Sequence, residues 1–221
     1  MATLTIQPSG ADSCLFQNDP DANYGTSIAI YIGRGDNSDK RREILKFDFS
    51  SLVAGCTISE AKLYLYYSGY LVSDPVGRTY WAYRLTQRSW TETGSSWNHY
   101  VGTTDWATAG GDYTATDGAS AVVPAAAGWM SWTVTNQVTF AQAYTGKVAH
   151  FLMRDGTETS NKIGAFPSNN YTTNTALCPY LILTYTAAGW AHAKNGVVAL
   201  SNSKINGLVA ATGITSVDGI I

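Results

Sequence analysis

Charge is what this sequence has least of. Only 14% of its 221 residues are Asp, Glu, Lys or Arg, about half the usual share. Glutamate occurs at four positions, Glu43, Glu60, Glu92 and Glu158, which leaves few carboxyl pairs for acid and base catalysis. The three histidines, His99, His150 and His192, lie far apart, and neither a nucleophile elbow nor an HExxH run is present. No catalytic residue is assigned, and the chain is not read as an enzyme. The net charge of −2 and a single basic run, Lys40-Arg41-Arg42, argue against a nucleic-acid partner held by counterion release. No stretch approaches the ~18 apolar residues of a membrane span, so no membrane partner is expected. Three cysteines, Cys14, Cys56 and Cys178, form an odd set without metal-ligand spacing. They read as reduced, buried thiols of a protein made in a cytoplasm. The N-terminal MATLTIQPSGADSCLF has neither a basic stretch nor a long apolar one, so no secretory signal is expected.

What the chain has instead is aromatic and hydroxyl-bearing: fourteen Tyr and seven Trp, many beside Thr or Ser, a composition that suits strands. The clearest segment is RREILKFDFSSLVAGCTISEAKLYLYY, Arg41 to Tyr67. Leu45, Phe47 and Phe49 alternate with Lys46 and Asp48, and Leu63, Leu65 and Tyr67 alternate with Lys62, Tyr64 and Tyr66. Period-2 alternation on both sides of a Gly-containing loop predicts a hairpin of half-buried antiparallel strands. Further strands are expected over Ala2 to Gln7, with Leu4 and Ile6 on one face, and over Asp12 to Gln17. Others follow at Ile28, Ile30 and Ile32, at Tyr80 to Thr86, at Trp129 to Val134, at Ala149 to Arg154 and at Pro179 to Tyr185. Gln87 to Ala127 is rich in Gly, Thr, Ser, Ala and Asp and is too long for a structureless loop. It is expected to cover the sheets, with short strands near Ser95 to Trp97 and Ala121 to Pro124. Thr135 to Tyr144 predicts a short helix capped by Thr135, with Val134, Val138 and Ala141 on its buried face. Nine or ten such strands describe an all-β fold, a jelly-roll-like antiparallel β-sandwich over residues 1–186.

Residues 187–221 form a short-strand C-terminal extension. Asn195-Gly196, Asn206-Gly207 and Asp218-Gly219 recur there, each followed by aliphatic residues; such pairs favour the turns of two-residue hairpins. Strands this short need something to pair with. Val197, Val198, Leu200, Ile205, Leu208, Val209, Ile214, Val217 and Ile220 are therefore the expected docking or oligomerisation residues. Their partner would be copies of this chain or another protein. The alternative is an extension folded back on its own domain.

The wording of five blocks resembles the DNRLRE family of β-sandwich modules. They are Asn23 to Thr26, Arg42 to Tyr66, Tyr83 to Trp97 (YRLTQRSWTETGSSW), Trp132 to Val138 (WTVTNQV) and Pro179 to Tyr185 (PYLILTY). The resemblance implies a non-catalytic module; some members bind acidic polysaccharides. One departure stands out. Where the family often has a Ser-Arg/Lys-Glu triplet, this chain reads Phe166-Pro167-Ser168-Asn169-Asn170. The Asn-Gly wording of the extension is similar to the tails of phage structural proteins. A module type usually found on secreted proteins, here without an export signal, is reconciled by a bacteriophage virion released by lysis.

Three motifs have competing readings. Asp19, Asp21 and Asn23 in D-x-D-x-N could ligate Ca²⁺, the single cofactor considered, or could form an Asx-bonded turn. Trp90, Trp97, Tyr100 and Trp106 could stack on sugar rings or seal the end of the sandwich. Arg34-Gly35-Asp36 is read as a chance tripeptide. The main expectation is a virion surface protein, a capsid decoration, head fibre or tail accessory held by its extension to capsid protein. The alternatives are a free carbohydrate-binding module for acidic polysaccharide and an extracellular filament subunit.

Overall fold

The computed structural model describes residues 1–7 and 11–187. Their regular secondary structure is almost entirely strand, because alternating apolar and polar residues recur along the chain. The strands are β1 (Ala2–Ile6), β2 (Asp12–Phe16), β3 (Ala29–Arg34), β4 (Lys40–Asp48), β5 (Thr57–Tyr67), β6 (Gly69–Tyr70) and β7 (Thr79–Leu85). After them come β8 (His99–Val101), β9 (Thr104–Asp105), β10 (Tyr113–Val122) and β11 (Gly128–Thr133), then a helix, α1 (Thr135–Gln142). The chain continues through β12 (Val148–Asp155), β13 (Lys162–Pro167) and β14 (Tyr180–Thr186). Among the described residues no helix is long and apolar enough to cross a membrane.

Two antiparallel sheets pack face to face. One has four strands in the order β1-β14-β5-β11. The other has eight, running β10-β7-β12-β4-β3-β13-β6, with β2 also paired to β4. The expected β-sandwich is therefore present. Its core lies where the alternation placed it: Leu45 and Phe47 from one sheet, with Phe49 just beyond β4, meet Leu63, Leu65 and Tyr67 from the other, all at most 3% exposed. Trp132 closes the middle, fully buried, with its indole N–H donating to the Tyr80 carbonyl at 2.8 Å. Gly164 sits against the Tyr80 ring. A Cβ there would lie 2.9 Å from the Tyr80 hydroxyl, closer than packing allows.

The expected hairpin between β4 and β5 is not one. β4 pairs with β12, β2 and β3, whereas β5 pairs with β14 and β11. The link carries Phe49 and Leu52 into the core, so it arches from one sheet to the other. Alternation identifies a half-buried strand but not its partner. Two further differences have local causes. β13 was not expected, since Gly164 and Pro167 interrupt its pattern; it pairs with β3 and β6 at the sheet edge. The expected strand at Ser95 to Trp97 is absent, and β10 is instead a full edge strand of the large sheet, paired with β7. Ile28 is 60% exposed while Ile30 and Ile32 are buried. Helix α1 buries Val138 and Ala141 as expected, but Thr135 does not cap it. Its Oγ1 accepts the Ala61 backbone N–H at 3.0 Å instead.

The outer face of the large sheet is also apolar. Leu15, Ile44, Leu85 and Leu152 project there and are covered by Ala11, Trp90, Trp97 and Trp106, and together they form a second core. The polar connection after β7 thus covers the sandwich, as its length suggested.

Cys14, Cys56 and Cys178 are buried and unpaired. The Cys14 thiol donates to the Glu43 carboxyl at 2.8 Å. Burial, then the nearby Asp12, holds that carboxyl well above the usual range. Asp12 itself is pushed up to about 7, mainly by burial. Its Oδ2 accepts the Asn169 backbone N–H at 2.7 Å. From pH 3.8 to about 7 the folded chain therefore holds a proton at Asp12 that the unfolded chain has released. Stability falls through that window and levels off above it. Asp12→Asn keeps an acceptor for Asn169. It is expected to raise stability at pH 8 by on the order of 3 kcal/mol and to change little at pH 4. Urea melts at the two pH values check this; equal effects at both would contradict it.

Candidate functional site

The outer edge of the second core opens into a cleft of about 560 Å³ lined by Lys46, Asp48, Arg88, Thr145, Val148 and His150. Strand pairing builds its floor. Lys46 on β4 lies directly opposite His150 on β12, and both side chains leave the sheet on the outer side. Arg88 comes from the connection after β7, where its guanidinium lies 4.0 Å from the centroid of the Tyr144 ring. Trp90 lies beneath: the Lys46 ammonium is 4.8 Å from its ring centroid, and its indole N–H donates to His150 Nδ1 at 3.0 Å.

That bond makes Nδ1 the acceptor, so a neutral His150 carries its proton on Nε2. The imidazole is held neutral. Burial, then the charges of Arg88 and Lys46, lowers its pKa to about 4. Lys46 and Arg88 take part in no ion pair among the described residues, while several other buried or half-buried cations do. Arg42 and Arg154 hold Glu158, and Arg78 holds Asp155. The cleft therefore offers two available cations and one neutral N–H donor, with Asp48 at its rim. Such a set suits an anion flanked by hydroxyls.

Of the two readings of Trp90, Trp97, Tyr100 and Trp106, sugar contact or seal, their burial favours the seal. Trp90, Trp97 and Trp106 are at most 6% exposed. Trp106 donates its indole N–H to the Ser96 carbonyl, and Trp97 lies under the Arg42 guanidinium. Tyr100 is half-buried and packs against Trp106. Covering Ile44 and Leu152 requires large apolar rings, and that demand takes these tryptophans out of solvent; they are the lid of the second core. The D-x-D-x-N run forms a bonded turn. Asp19 accepts from the Tyr24 hydroxyl and Asp21 from Asn98, while Asn23 donates to the Glu92 and Ser95 carbonyls. Their oxygens and amides are directed to separate partners. Among the described residues no group of three or more His, Cys, Asp or Glu is placed to hold a metal ion. Gly25 ends the turn, where a Cβ would lie 2.1 Å from the Glu92 carbonyl oxygen. In the Arg34-Gly35-Asp36 tripeptide, Arg34 donates to the Thr159 carbonyl and Asp36 accepts from Asn161.

Comparison with known families decides what kind of domain carries this cleft. The model for carbohydrate-binding module family 96 matches residues 3–185. The chain belongs to that family. No curated protein matches the chain. A carbohydrate-binding module of this kind is typically non-catalytic. The match supports neither the phage-like reading of the extension nor a virion role. The expected assembly residues, Val197 to Ile220, lie outside the described residues.

Lys46, Arg88 and His150 are not legible as a group in the sequence. Lys46 was visible as the polar phase of β4, but nothing in the sequence brings Arg88 and His150 to it. For His150 the expected titration midpoint is about 4, and NMR of the ring protons measures it. Since the unfolded chain gains a proton near pH 6.5 and the folded one does not, stability falls as pH drops below 6.5 towards 4. Arg88→Ala is expected to raise the midpoint; a wild-type midpoint at 6.5 would contradict the burial described here.

Proposed function

We propose that this carbohydrate-binding module recognises an acidic polysaccharide, with sugar carboxylates held by Lys46 and Arg88 in the cleft beside His150. Membership of the family supplies the carbohydrate. The observation that carries the anionic preference is the convergence in one cleft of two cations without carboxylate partners among the described residues, Lys46 over the Trp90 ring and Arg88 over Tyr144. Both side chains are half-buried, so a carboxylate bound there is partly desolvated, and its charge-assisted hydrogen bonds are stronger than at an open surface. The His150 N–H adds a neutral donor suited to a ring hydroxyl. Chemistry is not required of any of these groups; the module holds a chain and leaves its bonds intact.

This reading is the free-module alternative of the sequence analysis. It does not depend on the Ser-Arg/Lys-Glu triplet that this chain lacks. At that position Ser168 donates to the Ser27 carbonyl and Asn170 to the Gly25 carbonyl, so those residues fasten loops together.

Titration calorimetry with polygalacturonate and alginate tests the proposal. Lys46→Ala with Arg88→Ala is expected to weaken binding at least tenfold, since each charge-assisted contact contributes about 1.5–3 kcal/mol. Added salt should weaken wild-type binding and affect the double variant less. Unchanged affinity in a folded double variant, or a wild-type chain that binds neither polymer, would overturn the assignment.

A further inference from the structure

The outer face of the four-stranded sheet carries a second aromatic group far from the cleft. On β5 the residues alternating with the core are Lys62, Tyr64 and Tyr66, all half-exposed. Strand pairing sets Trp129 of β11 beside Tyr66, and Ser131 beside Tyr64. On the other side of β5, Tyr180 of β14 lies beside Tyr64. The rings form one continuous cluster. Tyr64 and Tyr180 stack with centroids 4.7 Å apart, Trp129 meets Tyr180 edge-on at 4.9 Å, and Tyr66 meets Trp129 edge-on at 5.4 Å. Trp129 is 39% exposed, unlike Trp90, Trp97, Trp106 and Trp132.

The polar groups around these rings are uncharged or self-neutralised. Ser131 and Thr133 are exposed along β11. The hydroxyls of Tyr64, Tyr66 and Tyr180 make no hydrogen bond among the described residues. The nearest charges, Lys62 and Glu60, pair with each other at 3.0 Å. A face made of aromatic rings and free hydroxyls, without net charge, matches the pyranose ring in both respects. The apolar C–H face of the sugar lies on the rings, and its hydroxyls meet the phenols and Ser131. A polyanion gains nothing there, because no unpaired cation is present at this face among the described residues.

We propose that Tyr64, Tyr66, Trp129 and Tyr180 form a second carbohydrate site, specific for uncharged pyranose chains. Because the two sheets pack by their inner faces, this site and the cleft point away from each other. One molecule can then hold two chains of different charge. The inference stands whether or not the cleft binds polyuronate.

The test is titration of the full-length chain with cellohexaose and mannohexaose, followed by amide and indole NMR shifts. Binding should perturb the Trp129 indole and leave the His150 ring unshifted. Trp129→Ala is expected to weaken neutral-glycan binding about tenfold, with Tyr66→Ser as an independent check, and both should keep the wild-type melting temperature. Lys46→Ala with Arg88→Ala should bind the neutral hexaoses unchanged, while Trp129→Ala should bind polyuronate unchanged. Absence of binding to both hexaoses overturns the proposal, as does unchanged affinity in Trp129→Ala. Concentration-dependent dimerisation by light scattering that Trp129→Ala abolishes would also overturn it and assign the face to a second copy of the chain.

Discussion

The eight-stranded sheet has two apolar faces, and the rest of the structure follows from the need to bury both. Its inner face, with Leu45, Phe47, Phe151 and Met153, is covered by the four-stranded sheet. Its outer face, with Ile44, Leu85 and Leu152, has no sheet over it among the described residues and is sealed by the connection that follows β7. A segment poor in long aliphatic residues can do this only with its largest rings, since each indole removes a large apolar area from water. Trp90, Trp97 and Trp106 are spent on that task. A polar stretch that reads as loop is thus a structural layer.

This layer also determines where charged side chains reach the surface. The lid ends at Trp90, and beyond it Lys46 and Arg88 reach the surface over an aromatic floor. The same burial keeps His150 neutral, so the cleft has a donor that does not add to the positive charge. The four-stranded sheet carries no such layer among the described residues, and its outward rings remain accessible. Two faces of one sandwich therefore offer different chemistry from one constraint: one side needs a lid and acquires a cationic rim, the other does not and keeps its aromatics open.

Much of the fold was legible in the sequence because alternation is local. Leu45, Phe47 and Phe49, like Leu63, Leu65 and Tyr67, take the buried phase that their spacing indicates, and Val138 and Ala141 mark the buried face of α1. What alternation does not contain is the identity of the neighbouring strand. The β4–β5 link therefore reads as a hairpin although it crosses between sheets. β13 was hidden because Gly164, required by the Tyr80 ring, and Pro167 look like loop residues. The site was less legible for a related reason. A tryptophan in a Ser- and Thr-rich stretch has the same appearance whether it faces solvent or Ile44. The conjunction of Lys46, Arg88 and His150 exists only after β4, β12 and the connection have come together.

The tryptophans of the connection serve as the lid of the second core. Solvent exchange of the indole N–H groups, followed by NMR while polyuronate is added, tests it most directly. Slow exchange is expected at Trp90, bonded to His150, and at Trp106, bonded to Ser96, with fast exchange at Trp129 and no ring-contact shifts at Trp97 or Trp106 on binding. Fast exchange at Trp90 and Trp106, with sugar-induced protection of either, would contradict it.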